Sequence, residues 1–476
     1  MSMVEAFDHW AVRSPDRPAL TVGDTTLTFA QLQDRARRVA HGLADLGVRR
    51  GDYVTIALPN SIAFVESAMA VLLLGGTIQP VSSRLPVAER QAIVELADSR
   101  VVIGASAHDH PGRICVPLPP MSENGAPLPP QVSEPWRATT SGGSTGRPKL
   151  IVGLGPAVIA DLATPDYLLP SESTVFIPGP LYHGGPFLIG MTSFLHGNHL
   201  ILGERFHPQA TLEIIERHAV AYLLLVPTMM HRISRLPADV RAAADLSSLR
   251  TVLHLASACP EWLKRAWLAW LGPQRLYELF GASDAPNRTI VGGQEWLAHP
   301  GTVGRTRPGE FKITDDAGSE LLAGEVGEIW MRPPPGQPDR SYLIGAQQRK
   351  VDGWTSVGDL GWIDSDGYLF IADRRTDMIV SAGENVFPAE VEAALEMHPG
   401  VRSSAVVGLP DEDLGRRVHA VVEVEPGVGE GDLRIFLAQR LAPYKSPRSY
   451  LLVDHPVRDD AGKVRKSMLI EQRGNP

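Results

Sequence analysis

Apolar positions along the chain follow two rhythms. In "TFAQLQDRARRVAHGLADLG" they recur every three or four residues, and Phe29, Leu32, Ala36, Val39, Leu43 and Leu46 share one face. That spacing predicts an amphipathic helix. Thr28 and Gln31 stand at capping-box spacing at its start. Short unbroken apolar runs are the second rhythm. "YVTIAL" (Tyr53–Leu58), "TVFIP" (Thr174–Pro178), "YLLLVP" (Tyr222–Pro227), "TVLHLA" (Thr251–Ala256) and "RLYELFG" (Arg275–Gly281) read as buried strands. Helical stretches such as "FVESAMAVLLL" and "EWLKRAWLAWL" separate them. Apolar strands alternating with helices predict parallel sheets covered by helices. From about Gly301 the segments shorten to "GEVGEIWMR" and "GWIDSDGYLFIAD", a β-rich subdomain. After "DRRTDM" come a helix ("AEVEAAL"), two strands ("SSAVVGL", "VHAVVEV") and a helix ("LRIFLAQRL"), enough for a small α/β domain with its own core.

Composition narrows the function classes. The 476 residues exceed one ordinary domain. Net charge is −9, with acids and bases mixed, which leaves neither a nucleic-acid footprint nor a polybasic membrane patch. Two cysteines, Cys115 and Cys259, make a disulfide framework an unsuitable reading, and a cytoplasmic location is expected. The start, "MSMVEAFDHW", carries Glu5 and Asp8 and lacks the apolar core of a signal peptide. The longest apolar stretch, Ala68–Gly75, is too short to span a bilayer.

One run carries candidate chemistry. "TTSGGSTGRPK", Thr139–Lys149, offers hydroxyls, flexible backbone N–H groups and a cation, the parts of a phosphate cradle. It is not a Walker loop, because Lys149 lies three residues beyond Gly146 and is followed by Leu150. A flexible linker is the plainer reading, but the chain turns apolar at once after Lys149 ("LIVGL").

This run, "ELFGASD", "GWTSVGDLGWIDSDGYL", "DRRTDMIVSAGENVFPAEVE" and "AGKVRK" occur in that order. Together they resemble the signature motifs of the adenylate-forming superfamily of acyl-CoA synthetases, luciferases and peptide-synthetase adenylation domains. The resemblance spans nearly the whole chain. "LASACPEWLKRAWLAWLGP", "ADRRTDMI" and "GLPDEDLGRRVHA" are most similar to bacterial bile-acid and steroid-acid CoA ligases. It implies a large N-terminal domain (1–373), a hinge (374–376) and a mobile C-terminal lid (377–476). It also implies ATP, Mg²⁺ and CoA as the small molecules used. A carboxylate attacks the α-phosphate of ATP, the lid rotates, and a thiol then takes the acyl group and releases AMP.

Residue by residue, the resemblance places Ser141, Ser144, Thr145 and Lys149 on the β- and γ-phosphates. Phe280 packs on adenine, Ser283 meets the α-phosphate, and Asp284 stands where the family has a magnesium-binding Glu. Asp359 takes the ribose hydroxyls with help from Arg374, and Thr376 is the pivot. Gly383 lines the thiol tunnel, with Trp354 on the same face, and Lys463 supports adenylation. His183 in "PLYHGGPF" orients the acyl carboxylate or serves only as a core histidine. Ala256, Ser257 and Ala258 form a wall between adenine and acyl chain, roomy with Gly184 and Gly185 and suited to a bulky polycyclic acid. Cys259 is read as packing.

Three departures from the family pattern lie on the ATP side: Gly142 for Ser, Asp284 for Glu, and Pro456 shifted by one. They leave open an enzyme that only transfers from a preformed acyl-adenylate, with a separate adenylating enzyme as its partner. Transfer to a carrier-protein phosphopantetheine and a non-catalytic adenylate binder are further alternatives. The expected assembly is a monomer or homodimer.

Overall fold

The protein is described from a computed structural model that covers residues 1–142, 148–162, 165–281, 285–305, 309–334, 341–345, 349–459, 462–466 and 468–470, with Ser141 and Ser341 described by their backbone alone. Eight of the described strands of the large lobe build one sheet. Its inner members run Leu276–Phe280, Thr251–His254, Tyr222–Leu225, Thr174–Ile177, His199–Leu202 and Pro18–Val22, all parallel. Antiparallel edges close it at Thr289–Gly292 and Thr25–Thr28. Tyr222–Leu225 is buried at every position, as a strand covered on both faces must be.

A second, parallel sheet orders Thr77–Pro80, Tyr53–Ile56, Val101–Ile103 and Ile114–Val116. The helix Phe29–Asp45 packs its buried stripe on the same core and starts with the Thr28–Gln31 capping box. An N-terminal helix, Met3–Arg13, opens with a second capping box, Ser2 with Glu5. The strands after Gly301 form an antiparallel sheet in the order Thr302–Gly304, Leu369–Arg374, Trp354–Ile363, Gly327–Arg332 and Glu310–Thr314.

Past Arg374 the chain enters a small lobe. The helices Pro388–Glu396 and Glu430–Ala438 cover a sheet of Val401–Asp411, Gly415–Val424 and Ser449–Val453. Its core gathers Ile379, Val391, Leu395, Val406, Val418, Val422, Leu433 and Leu437, a cluster separate from that of the large lobe. No helix among the described residues is long and apolar enough to cross a membrane.

Candidate active site

The phosphate-cradle motif is a β-hairpin. Ala138–Gly142 pairs antiparallel with Pro148–Gly153, so Ser141 stands opposite Lys149 at its end. The tip, with Ser144 and Thr145, lies outside the described residues. Ser283 and Asp284 lie outside them as well. Phe280 ends its strand half-buried against Val303, Ile313, Ile329 and Leu369 of the antiparallel sheet, so part of its surface is spent on joining two sheets.

Asp359 and Arg374 face each other directly across two strands. The Arg374 Nε lies 3.3 Å from Asp359 Oδ1; the carboxylate is nearly buried while most of the guanidinium is in solvent. The backbone ladder sets this pair.

His183 is the N-cap of the helix Gly184–Leu195, and its ring tilts against Tyr182 with centroids 4.4 Å apart. The imidazole is mostly buried, and its Nε2 has no hydrogen-bond partner among the described residues. Burial, then the nearby Lys463 ammonium, pushes His183 down to about 3. It is therefore neutral at physiological pH. Asp459 Oδ2 of the small lobe approaches its Nε2 to 3.9 Å, beyond hydrogen-bond reach.

The loop bearing Lys463 is held from within its own lobe. Asp459 and Lys463 exchange backbone contacts: Asp459 N–H donates to the Lys463 carbonyl (2.9 Å), and Lys463 N–H donates to Asp459 Oδ1 (2.8 Å). The Arg458 guanidinium donates to the Gly462 carbonyl (3.2 Å) and to Glu392 Oε2 (2.6 Å). Glu392 Oε1 in turn accepts from Val406 N–H (2.9 Å). Lys466 reaches Asp377 (3.1 Å) and Glu392 (3.5 Å). Burial opposes charge on Lys466, but Glu392 and Asp377 win and hold its ammonium above the ordinary value. Gly462 sits at φ +75°, and a Cβ there would come within 2.8 Å of Thr228 Oγ1 in the large lobe. Only glycine allows that approach.

The structure thus brings together His183, Asp459 and Lys463, and separately Asp359 and Arg374. It does not bring Gly383 to them. Ala382 (φ +50°) and Gly383 (φ +85°) form the tip of the hairpin Ile379–Ser381 to Glu384–Val386, with open space where a Cβ would project. Here the glycine serves the turn. Trp354 stands between the cations of Lys312 and Arg332, 4.8 and 4.7 Å from its ring. Thr376 lies in the exposed turn after Arg374, its hydroxyl 3.2 Å from Asp377 Oδ1. Ala256, at the strained φ of +83°, and Ala258 are exposed, leaving that wall open. Gly185 adds no comparable room, because a Cβ there would meet Leu255 at 3.1 Å. The Cys259 thiol is raised by burial and by Glu278, which leaves it un-ionised.

The donors fit an acyl-adenylate. A nearly buried carboxylate suits a pair of hydroxyls, and an ammonium near a neutral imidazole whose Nε2 lacks a partner among the described residues suits a carboxylate meeting a phosphate. Sequence reasoning missed Asp459, Arg458 and Glu392. The signal available was weak: Arg458 and Asp459 stand four residues before Gly462 and Lys463 respectively, and Glu392 and Glu396 share one face of a helix that is otherwise largely apolar there.

These features define an enzyme that handles a carboxylate and a nucleotide at a junction of two lobes. The chain belongs to the AMP-binding enzyme family, matching it over residues 7–337 and matching the AMP-binding enzyme C-terminal domain over 390–463. A feruloyl-CoA synthase of an Amycolatopsis species is 32% identical, covering 96% of this chain and 97% of its own. The 3-(7a-methyl-1,5-dioxo-octahydro-1H-inden-4-yl)propanoyl:CoA ligase of Rhodococcus jostii is 30% identical, covering 96% and 95%. Among solved structures, the o-succinylbenzoate CoA synthetase of Bacillus subtilis with its acyl-adenylate superposes with a TM-score of 0.82 at 25% identity, covering 98% and 97%.

Proposed function

We propose that this enzyme is an acyl-CoA ligase that activates a bulky cyclic carboxylic acid, fused-ring in the first instance, through its acyl-adenylate. The observation that carries the reading is the approach of the Asp459–Lys463 loop of the small lobe to His183 of the large one, with Asp459 Oδ2 3.9 Å from His183 Nε2. A carboxylate oxygen attacks the α-phosphorus of ATP, and pyrophosphate leaves with the electron pair of the broken P–O bond. The CoA thiol then adds to the acyl carbon, and AMP departs.

Lys463 balances the negative charge that builds where carboxylate and α-phosphate meet. Neutral His183 presents Nε2 to the acid and fixes its direction. Asp359, with Arg374 beside it, takes the ribose hydroxyls. Ser141, Ser144, Thr145 and Lys149 are assigned to the outer phosphates, Ser283 to the α-phosphate, Phe280 and Ala258 to the adenine side. Magnesium, assigned to Asp284, would supply charge neutralisation on the phosphates. Thr376 is the pivot by which Gly383, remote here, would exchange places with Lys463.

The acid class rests on the open wall at Ala256 and Ala258 and on the two relatives, named for an aromatic and a fused-ring acid. The test is CoA-thioester formation from free acid and ATP across a panel. A fused-ring propanoate should exceed acetate and octanoate in kcat/KM by at least about tenfold, the value of one or two buried methylenes. Preference for a short linear acid would refute the assignment.

A further inference from the structure

One helix of the large lobe touches the small lobe at both of its ends. Pro227–Ser234 begins one residue, the buried Val226, after the buried strand Tyr222–Leu225, so its base is fixed in the core. In its first turn Thr228 receives Gly462, the neighbour of Lys463. At its far end Arg235 reaches the C-terminal end of the helix Pro388–Glu396. The Arg235 guanidinium donates to the carbonyls of Glu396 (3.2 Å), His398 (2.9 Å) and Pro399 (3.1 Å). Its Nε donates to His231 Nε2 at 3.1 Å, which fixes the direction of the fork. Carbonyls at a helix C-terminus lack intrahelical donors and carry the negative end of the helix dipole. The His398 carbonyl, just past the helix, also accepts from Val401 N–H (3.0 Å), and the Arg235 cation adds at this end the positive charge that the helix dipole favours.

We propose that Arg235 is a positioning residue for adenylation: by capping this helix it selects the lobe orientation in which Lys463 meets His183. Gly462 on Thr228, together with the Ala389 N–H donating to Asp373 Oδ2 (2.9 Å) beside the hinge, would still leave the small lobe free to turn about those points. The Arg235 contact, about 10 Å from Thr228 along the same helix at 1.5 Å per residue, restricts that turn. The other described tie near Lys463, Arg465 to Glu89 at 3.0 Å, is solvent-exposed on both sides and lies at the same end as Thr228. The inference rests on the proposed two-step function, since Lys463 acts in the first step only.

The test uses the full-length enzyme with Arg235→Met, which keeps the stem, and Arg235→Lys, which keeps the charge but not the fork. ATP–pyrophosphate exchange reads the first step, and CoA transfer from a synthetic acyl-adenylate reads the second. Exchange should fall about tenfold in Arg235→Met and less in Arg235→Lys, while transfer stays within about twofold, as the loss of charge-assisted hydrogen bonds predicts. Closing a Glu89→Cys/Arg465→Cys pair with a short bismaleimide should restore exchange in the Arg235→Met background, against single-cysteine controls. Equal loss in both steps, no loss of exchange, or no rescue by the cross-link would overturn the proposal. Should the enzyme adenylate no acid at all, the functional reading fails separately. Arg235 is then judged by hydrogen exchange: Arg235→Met should lose amide protection around residues 396–399 and 462–463, and unchanged protection overturns it.

Discussion

The two halves of the site are built by different means. Asp359 and Arg374 sit opposite each other on adjacent strands, and the ladder that pairs Leu360 with Asp373 sets their separation. Lys463 sits on a loop with no ladder. Charged side chains set its geometry instead: Arg458 on the Gly462 carbonyl, Asp459 on the Lys463 amide, and Glu392 tying Arg458 to the lobe core. The ladder is redundant, since losing one rung leaves the others. The charged clamp is a chain of single contacts. The part of the site proposed to travel is therefore the part most exposed to single substitutions.

The largest effect should come from the tip of that chain. Lys463→Ala is expected to lower ATP–pyrophosphate exchange by about 10²–10³, the usual cost of one well-placed electrostatic group. CoA transfer from synthetic acyl-adenylate should change little. Comparable losses in the two assays would remove Lys463 from the first step and dissolve the contrast with the strand pair.

Next comes the clamp. Arg458 and Glu392 are both largely buried, so removing one partner leaves an uncompensated charge. Glu396 adds to it: burial raises its carboxyl and Arg458 pulls it back. Arg458→Met should cost about 3–5 kcal/mol of small-lobe stability, and Arg458→Met with Glu392→Leu should recover much of it. Exchange should stay low in the double variant, because the Gly462 carbonyl has still lost its donor. Chemical denaturation followed beside exchange separates the two, and full recovery of exchange in the double variant would reduce the clamp to a stabilising pair.

The smallest effect is set by pH. Burial first, then Arg235, pushes His231 down to about 4. The folded protein refuses a proton that the unfolded chain binds from pH 6.5 downward. Unfolding therefore takes up a proton in the window between 6.5 and about 4, and stability falls as the solution is acidified through it, by at most about 1.4 kcal/mol per pH unit for one group. His231→Gln, which can still accept from Arg235, should flatten that slope in thermal melts. An unchanged slope would show that His231 carries none of it.

Much of this fold was legible because period and burial agree. "EWLKRAWLAWL" is a helix over Glu261–Leu271, and the four apolar runs from Thr174 onward are the parallel strands expected. The N-terminal helix passed unnoticed although Ser2 and Glu5 carry the capping-box spacing. Lys264 is the harder case. Its helix reads as amphipathic, yet the ammonium is fully buried with Nζ 2.5 Å from Glu278. The clue was Glu278 itself, an acid in an apolar strand that had to find a cation. Arg235 and Arg458 had little local signal, because beyond His231 and the Gly462 carbonyl, each four residues away, their partners are carbonyls and acids that only tertiary contact supplies. The room attributed to Gly185 failed for the same reason, since Leu255 fills it from another segment.

Arg374 ends the last strand of the large lobe, two residues before Thr376. In mechanical terms the proposed ribose clamp would be stator and Lys463 rotor. On that proposal a turn at Thr376 would carry off the Lys463 ammonium while Asp359 and Arg374 keep station. On the proposed cycle, the adenylate need not be released and recaptured between half-reactions. Its leakage into solvent would be governed by the strand pair, whatever the speed of the lid.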